Sequence, residues 1–191
     1  IEPADTHYYQ PLWTLVGAGL VRKEKTSRPM SQVIPKDVTW IRDRVEKVDP
    51  NSQTVICSSN RSFKYDYLLV ATGLKLDWFK IKGLEGELGR NGLCSIYQYE
   101  DAERTAKMIQ DFKGGQAIFT MPPVPIKCAG APQKIMYLAD EIFRKNGVRE
   151  NSAVKFAVAG KVIFGVPIFA KALTEVALRK GIHLQFSHKL V

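Results

Sequence analysis

The stretch Met121-Pro-Pro-Val-Pro-Ile-Lys-Cys-Ala-Gly-Ala-Pro132 joins a strand-like run, Gln116 to Met121, to a run of helical period, Gln133 to Lys145. Proline removes a backbone donor and fixes φ, so Pro122 to Pro125 predict a stiff, extended connector leaving a strand. Pro132 suits the first turn of a helix, where a missing N–H costs nothing. Beyond it Ile135, Leu138, Ala139 and Ile142 recur at helical steps, with Met136 and Phe143 beside them, which predicts a helix with one buried face. Strand, constrained loop and helix in that order are the opening of a βαβ unit. Cys128 falls in the loop, close to the helix N-terminus, where exposed amides and a partial charge of roughly +0.5 favour an anionic sulfur. A lone cysteine near a helix is more often a small buried hydrophobe than a nucleophile.

Working outward, Glu100 to Phe112 predicts a helix, with acids leading, Ala102, Ala106 and Ile109 inward and Gly114-Gly115 ending it. Ala153 to Ala159 predicts a second strand. Pro167 opens a helix through Ala172, Leu173, Val176 and Ala177 that stops at Gly181, and His183 to Phe186 begins a third strand. The second half therefore reads βαβαβ, a parallel sheet with helices. Gly160-Lys-Val-Ile-Phe-Gly165 lies where a dinucleotide fingerprint would stand, but Val162 takes the middle glycine position, and its side chain would obstruct a pyrophosphate.

In the first half, Pro11 to Val21 predicts a short helix weakened by Gly17 and Gly19. Ser27 to Gln32 predicts a loop. Val38 to Val48, Thr54 to Cys57 and Arg61 to Tyr65 predict strands, separated by Asp49-Pro-Asn-Ser52 and Asn60-Arg61, which makes a three-stranded antiparallel meander. Tyr65-Asp-Tyr-Leu-Leu-Val-Ala-Thr-Gly73 follows. Its continuous apolar run Leu68 to Ala71 predicts a parallel strand buried on both faces, with Thr72 and Gly73 at the carboxyl end, where ligands sit in open α/β sheets. A core strand ending in a plain glycine turn fits the same residues. Ile1-Glu2-Pro3 predicts the tail of another strand, and Leu74 to Gly92, rich in glycine and charge, predicts a linker.

Composition narrows the function classes. The chain has 191 residues, 45% apolar and 25% charged, and 28 basic against 19 acidic side chains leave a net charge of +9. That surplus favours anionic partners, but no basic block or basic stripe with interleaved aromatics supports nucleic acid. Cys57, Cys94 and Cys128 are far apart, with no C-x-x-C, so neither a metal site nor a disulfide scaffold is expected, and a reducing compartment fits. No apolar run approaches the ~20 residues of a membrane helix, and no targeting segment is visible.

The meander followed by Ala71-Thr72-Gly73 resembles the two-dinucleotide-binding-domain flavoproteins. Two longer motifs, Glu2-Pro3…His7-Tyr-Tyr-Gln-Pro-Leu-Trp-Thr-Leu-Val-Gly17 and Ile126-Lys-Cys-Ala-Gly-Ala-Pro-Gln-Lys-Ile-Met-Tyr137, resemble the mitochondrial type of the sulfide:quinone oxidoreductase family, and the similarity runs essentially end to end. The resemblance implies an α/β fold with Rossmann-like parallel sheets and the antiparallel meander, part of a two-dinucleotide-binding-domain flavoprotein. Residues 1–92 would be the remainder of an FAD-binding domain, and 93–191 a second Rossmann-like domain carrying the redox cysteine.

The implied cofactor is FAD. By position, Glu2 corresponds to the acid that accepts hydrogen bonds from the adenosine ribose, as a carboxylate suits a 2′-OH. Gln10 matches a residue contacting FAD, Val45 the strand residue whose backbone meets adenine, and Thr72 and Gly73 the cofactor side of the third motif. Cys128 matches one of two redox-active cysteines. The alternative for Glu2 is an exposed terminal acid, and for Val45 a residue of the sheet core.

The implied reaction is two-electron oxidation of hydrogen sulfide through a cysteine persulfide or trisulfide and the flavin. Electrons would pass to ubiquinone, and the sulfane sulfur to a small acceptor such as glutathione or sulfite. The implied setting is peripheral contact with the matrix side of the mitochondrial inner membrane. The glycine fingerprint is expected before Ile1, and the second redox cysteine and the quinone- and membrane-contacting region beyond Val191, so the segment by itself is expected to be catalytically incomplete. Tyr97 stands where some bacterial relatives carry a third cysteine, and Cys57 and Cys94 are expected to be structural or incidental. The competing readings are an NAD(P)H-dependent flavoprotein reductase of the same fold and a non-catalytic basic α/β binding module.

Overall fold

The computed structural model describes all residues from Ile1 to Val191, and the chain forms two compact units, residues 1–9 with 27–76 and residues 10–26 with 77–191.

In the first unit β1 (Thr6–Tyr8) pairs antiparallel with β2 (Ser27–Pro29), inside the stretch expected as a loop. The meander is present as β3 (Val45–Asp49), β4 (Thr54–Cys57) and β5 (Ser62–Lys64), antiparallel in that order. The first turn is held by the Asp49 carboxylate, which accepts from the Asn51 amide at 3.0 Å and the Ser52 hydroxyl at 2.8 Å. The second turns through Asn60 at φ 64°, a conformation that asparagine tolerates. Residues 38–44, expected as strand, are irregular, and β3 begins only at Val45.

The strand expected over Leu68 to Ala71 is not formed. Tyr65 to Gly73 pairs with no other strand, and Tyr67, Leu69 and Val70 are 96%, 89% and 67% exposed. An apolar run becomes a buried parallel strand only between neighbouring strands, and none in this chain lies beside it. Likewise Ile1 to Pro3 forms no strand, its one backbone link being Glu2 N–H to the Ile41 carbonyl at 3.0 Å.

The second unit is the expected βαβαβ. β6 (Gly115–Met121), α3 (Ala131–Lys145), β7 (Ser152–Val158), α4 (Pro167–Arg179) and β8 (His183–Phe186) build a parallel sheet in the order β6-β7-β8. Val154, Phe156 and Val158 alternate along β7 and are fully buried, the period-two signature of a strand with one face on the core. They pack with Met136, Ala139 and Phe143 of α3 in one hydrophobic cluster.

α1 (Trp13–Gly17) and α2 (Tyr99–Asp111) complete this unit, Trp13 and Val16 clustering with Ala102 and Tyr99. The helix expected to run to Val21 stops at Gly17. Gly19 at φ +70° turns the chain, and Leu20 N–H reaches back to the Leu15 carbonyl at 2.9 Å. Residues 10–26, in sequence between parts of the first unit, pack in the second. No helix is long and apolar enough to cross a membrane.

Candidate functional site

β6 ends on the buried Met121, and the prolines carry the chain outward to an exposed Cys128. Cys128 sits at φ 60°, in the left-handed region that β-carbon-bearing residues avoid. Its carbonyl accepts the Ala131 amide at 2.9 Å, and the Gly130 carbonyl accepts Lys134 N–H at 2.9 Å, which starts α3. Within that first turn the Gln133 side chain is buried. Its Nε2 donates to the Ile163 carbonyl at 2.6 Å, tying the start of α3 to the loop after β7, while its Oε1 has no donor. The loops after β6 and β7 are thus fastened together at the carboxyl end of the sheet, the side on which open α/β folds bind ligands.

Lys127, next to the thiol, is held at both ends. Its ammonium donates to Gln10 Oε1, and its carbonyl accepts the Tyr97 hydroxyl at 3.2 Å. Burial first, and the negative charge of Cys128 second, push the Tyr97 phenol up to about 12, so it remains a protonated donor at neutral pH. Gln10, at the start of α1's leading turn, and Cys128 are therefore brought into one neighbourhood through Lys127. Tyr97 enters as a partner of this loop, a role the sequence reading did not assign; nothing local marks a contact across 30 residues. Gln133 was also missed, although a polar residue on the inner face of an amphipathic helix is a legible signal.

Of the other two thiols one is buried and one exposed. Cys57 is fully buried on β4. Cys94 is raised by burial, against a hydrogen bond from Thr105 that lowers it.

The remaining expected residues lie in the first unit. Glu2 is half-buried, its amide bound to Ile41 and its carbonyl to Trp40 Nε1 at 2.9 Å; one carboxylate oxygen accepts the Ala4 amide at 2.7 Å. Val45 is exposed at the start of β3, paired with Cys57 where the register shifts. Thr72 and Gly73 are exposed, and Gly73 has φ +76° with nothing within 4 Å of where a Cβ would stand.

These residues fit parts of FAD. The pinned Glu2 carboxylate retains acceptor capacity for a ribose hydroxyl, and the open corner at Gly73 lets a ligand approach the backbone closely. The first unit contains no α-helix whose N-terminus would cradle the pyrophosphate.

No protein-family model matches the chain. It is 41% identical over 192 residues to a mitochondrial sulfide:quinone oxidoreductase of Dictyostelium discoideum, covering 100% of this chain and 42% of that protein. It is 42% identical over 191 residues to a protein of the same name in Mus musculus, again covering 100% of this chain and 42% of the relative. The chain thus spans less than half the length of these relatives. A solved structure of the sulfide:quinone oxidoreductase from Aquifex aeolicus superposes with a TM-score of 0.77 at 23% identity, over 97% of this chain and 43% of that one. That likeness shows that the chain shares the α/β fold of the matched part of that structure.

Proposed function

We propose, for a chain that belongs by its sequence to the sulfide:quinone oxidoreductase family, that it is the part of such an enzyme presenting Cys128 as a redox-active sulfur beside a bound FAD. The observation that carries this reading is the exposure of the Cys128 thiol on a braced loop at the start of α3, in a chain matched from end to end by proteins of that name. In this reading residues 1–92 are what the chain holds of the FAD-binding domain, and 93–191 what it holds of the second dinucleotide-binding-like domain.

Cys128 would be one of two cysteines joined through sulfur. Attack by hydrosulfide forms one S–S bond and breaks another: a disulfide bridge leaves a persulfide on one cysteine and a thiolate on the other, and a trisulfide bridge leaves a persulfide on each. When bound, FAD supplies the acceptor for the two electrons that leave sulfide, and ubiquinone is their destination. Glu2 would hold the adenosine ribose, Gln10 and the backbone at Val45 would contact the cofactor, and Thr72 and Gly73 would flank it. A small acceptor such as glutathione or sulfite takes the sulfane sulfur. The setting proposed is peripheral contact with the matrix side of the mitochondrial inner membrane, by kinship with relatives named as mitochondrial. Val162, more than half exposed in the Gly160–Gly165 loop, argues against a nicotinamide dinucleotide as electron donor there.

The test is Cys128→Ser in a flavin-loaded protein containing this chain. Sulfide should bleach the flavin band of the unsubstituted protein and leave that of the variant unchanged on the same timescale. Equal bleaching in both would remove Cys128 from the chemistry.

A further inference from the structure

A cysteine at φ 60° is held against its own preference, and such a conformation persists only where the surroundings over-determine it. The surroundings of Cys128 do so through the residue before it. Tyr97 lies two residues before α2, and its ring is packed against the main hydrophobic cluster. Gln10 is in the short helical turn leading into α1, whose own Trp13 and Val16 are buried. Lys127 is therefore gripped by two anchors, Tyr97 from the bend before α2 on its backbone carbonyl and Gln10 from the turn leading into α1 on its side chain. Ile126 and Ala129, on either side, also pack against the cluster, so the loop is tethered by apolar contact as well.

We propose that Tyr97 and Gln10 are positioning residues for the Cys128 loop: the phenol fixes the Lys127 backbone and so the left-handed turn at Cys128, while the Gln10 amide oxygen holds the Lys127 ammonium at the protein surface. The meaning of this bracket for catalysis rests on the role proposed for Cys128; the bracket itself does not. Because the Tyr97 phenol keeps its proton at neutral pH, its donor function is constant across the range in which a thiol titrates. The two anchors have separable duties, one steric and one electrostatic.

The experiment uses the chain as it stands, with neither flavin nor sulfide. Tyr97→Phe keeps the packed ring and removes only the donor. Amide exchange over residues 126–131 should then speed up about fivefold, the size of one net hydrogen bond. Cys128 should react faster with iodoacetamide and with iodoacetate alike, while the labelling of Cys94 stays at its original value. Gln10→Ala should instead change the ratio of the two labelling rates, because the freed Lys127 ammonium acts on the anionic reagent and not on the neutral one. A merely structural role of Gln10 would leave that ratio alone. Unchanged loop exchange in Tyr97→Phe, or an unchanged ratio in Gln10→Ala, overturns the proposal. A bracket confirmed in this way, followed by normal sulfide bleaching in Cys128→Ser, would refute the redox reading and leave the bracket standing.

Discussion

Asp140 has a fully buried side chain, yet it stands on α3 among apolar neighbours. Three cations meet it: Arg149 at 2.6 Å, Lys180 at 3.0 Å and Arg144 at 3.1 Å. Burial pushes the carboxyl up, but the hydrogen bonds from Arg149, Lys180 and Arg144 together outweigh it and hold the group below the usual carboxylate value. Arg149 also donates to the carbonyls of Ser152, Lys180 and Gly181, so the acid anchors the starts of β7 and β8 to α3. Asp140→Asn should cost about 1.5–3 kcal/mol in urea unfolding at pH 7, because it removes the charge on which the partly exposed Arg149, Lys180 and Arg144 converge. The folded carboxyl titrates below the unfolded value of about 3.9, so its contribution is complete above that pH and is lost as pH falls through the folded value. The gap between wild type and variant should therefore narrow below about pH 4; a gap of constant size down to pH 2 would contradict the assignment. Little of this was legible beforehand. Helical spacing makes Arg144 a partner at i+4, but Lys180 arrives from 40 residues away. The candidate site divides in the same way: the prolines and helix period around Cys128 locate its loop, whereas Tyr97 and Gln10 reach it only through tertiary contacts.

Three helices converge on Gly17. A Cβ there would stand 2.6 Å from Ile96 Cγ2 and 3.2 Å from Ile135 Cδ1, both on buried side chains with little freedom to move. Gly17→Ala should destabilise the protein by about 1–3 kcal/mol despite alanine's higher helix propensity, since overpacking outweighs the ~1 kcal/mol gained from propensity. Ile96→Ala opens that space, so the double variant should show favourable coupling in a thermodynamic cycle, and strict additivity would place the strain elsewhere. The glycine was read from sequence as a weakness of the helix; in the structure it is the residue that lets α1 approach its neighbours. Helical and strand period predicted α2, α3, α4, β6, β7 and β8 to within a few residues, because each buries a stripe or face whose spacing is written in the chain. Period did not reveal that Leu68 to Ala71 lacks pairing partners, since pairing is a property of other segments.

At the scale of the whole chain, burial is divided unequally. Both hydrophobic clusters belong to the second unit, whereas the buried apolar residues of the first are Met30, Val55 and Cys57. The first unit also ends in the exposed, unpaired run through Tyr67, Leu69 and Val70. Opening free energies follow buried apolar contact, so the two units should differ in protection by several orders of magnitude in exchange rate. Native-state hydrogen exchange should find the slowest amides in β7 and the inner face of α3, intermediate ones in the β3–β4–β5 meander, and near-unprotected ones from Tyr67 to Gly73. Limited proteolysis should cut first in that same run and leave a resistant core containing residues 95–186. Protection at Leu69 and Val70 comparable to that at Phe156 would mean that this run finds a partner in solution, most simply another copy of the chain. Its dependence on protein concentration would then decide between an ordered strand and association, because only association scales with the amount of chain present.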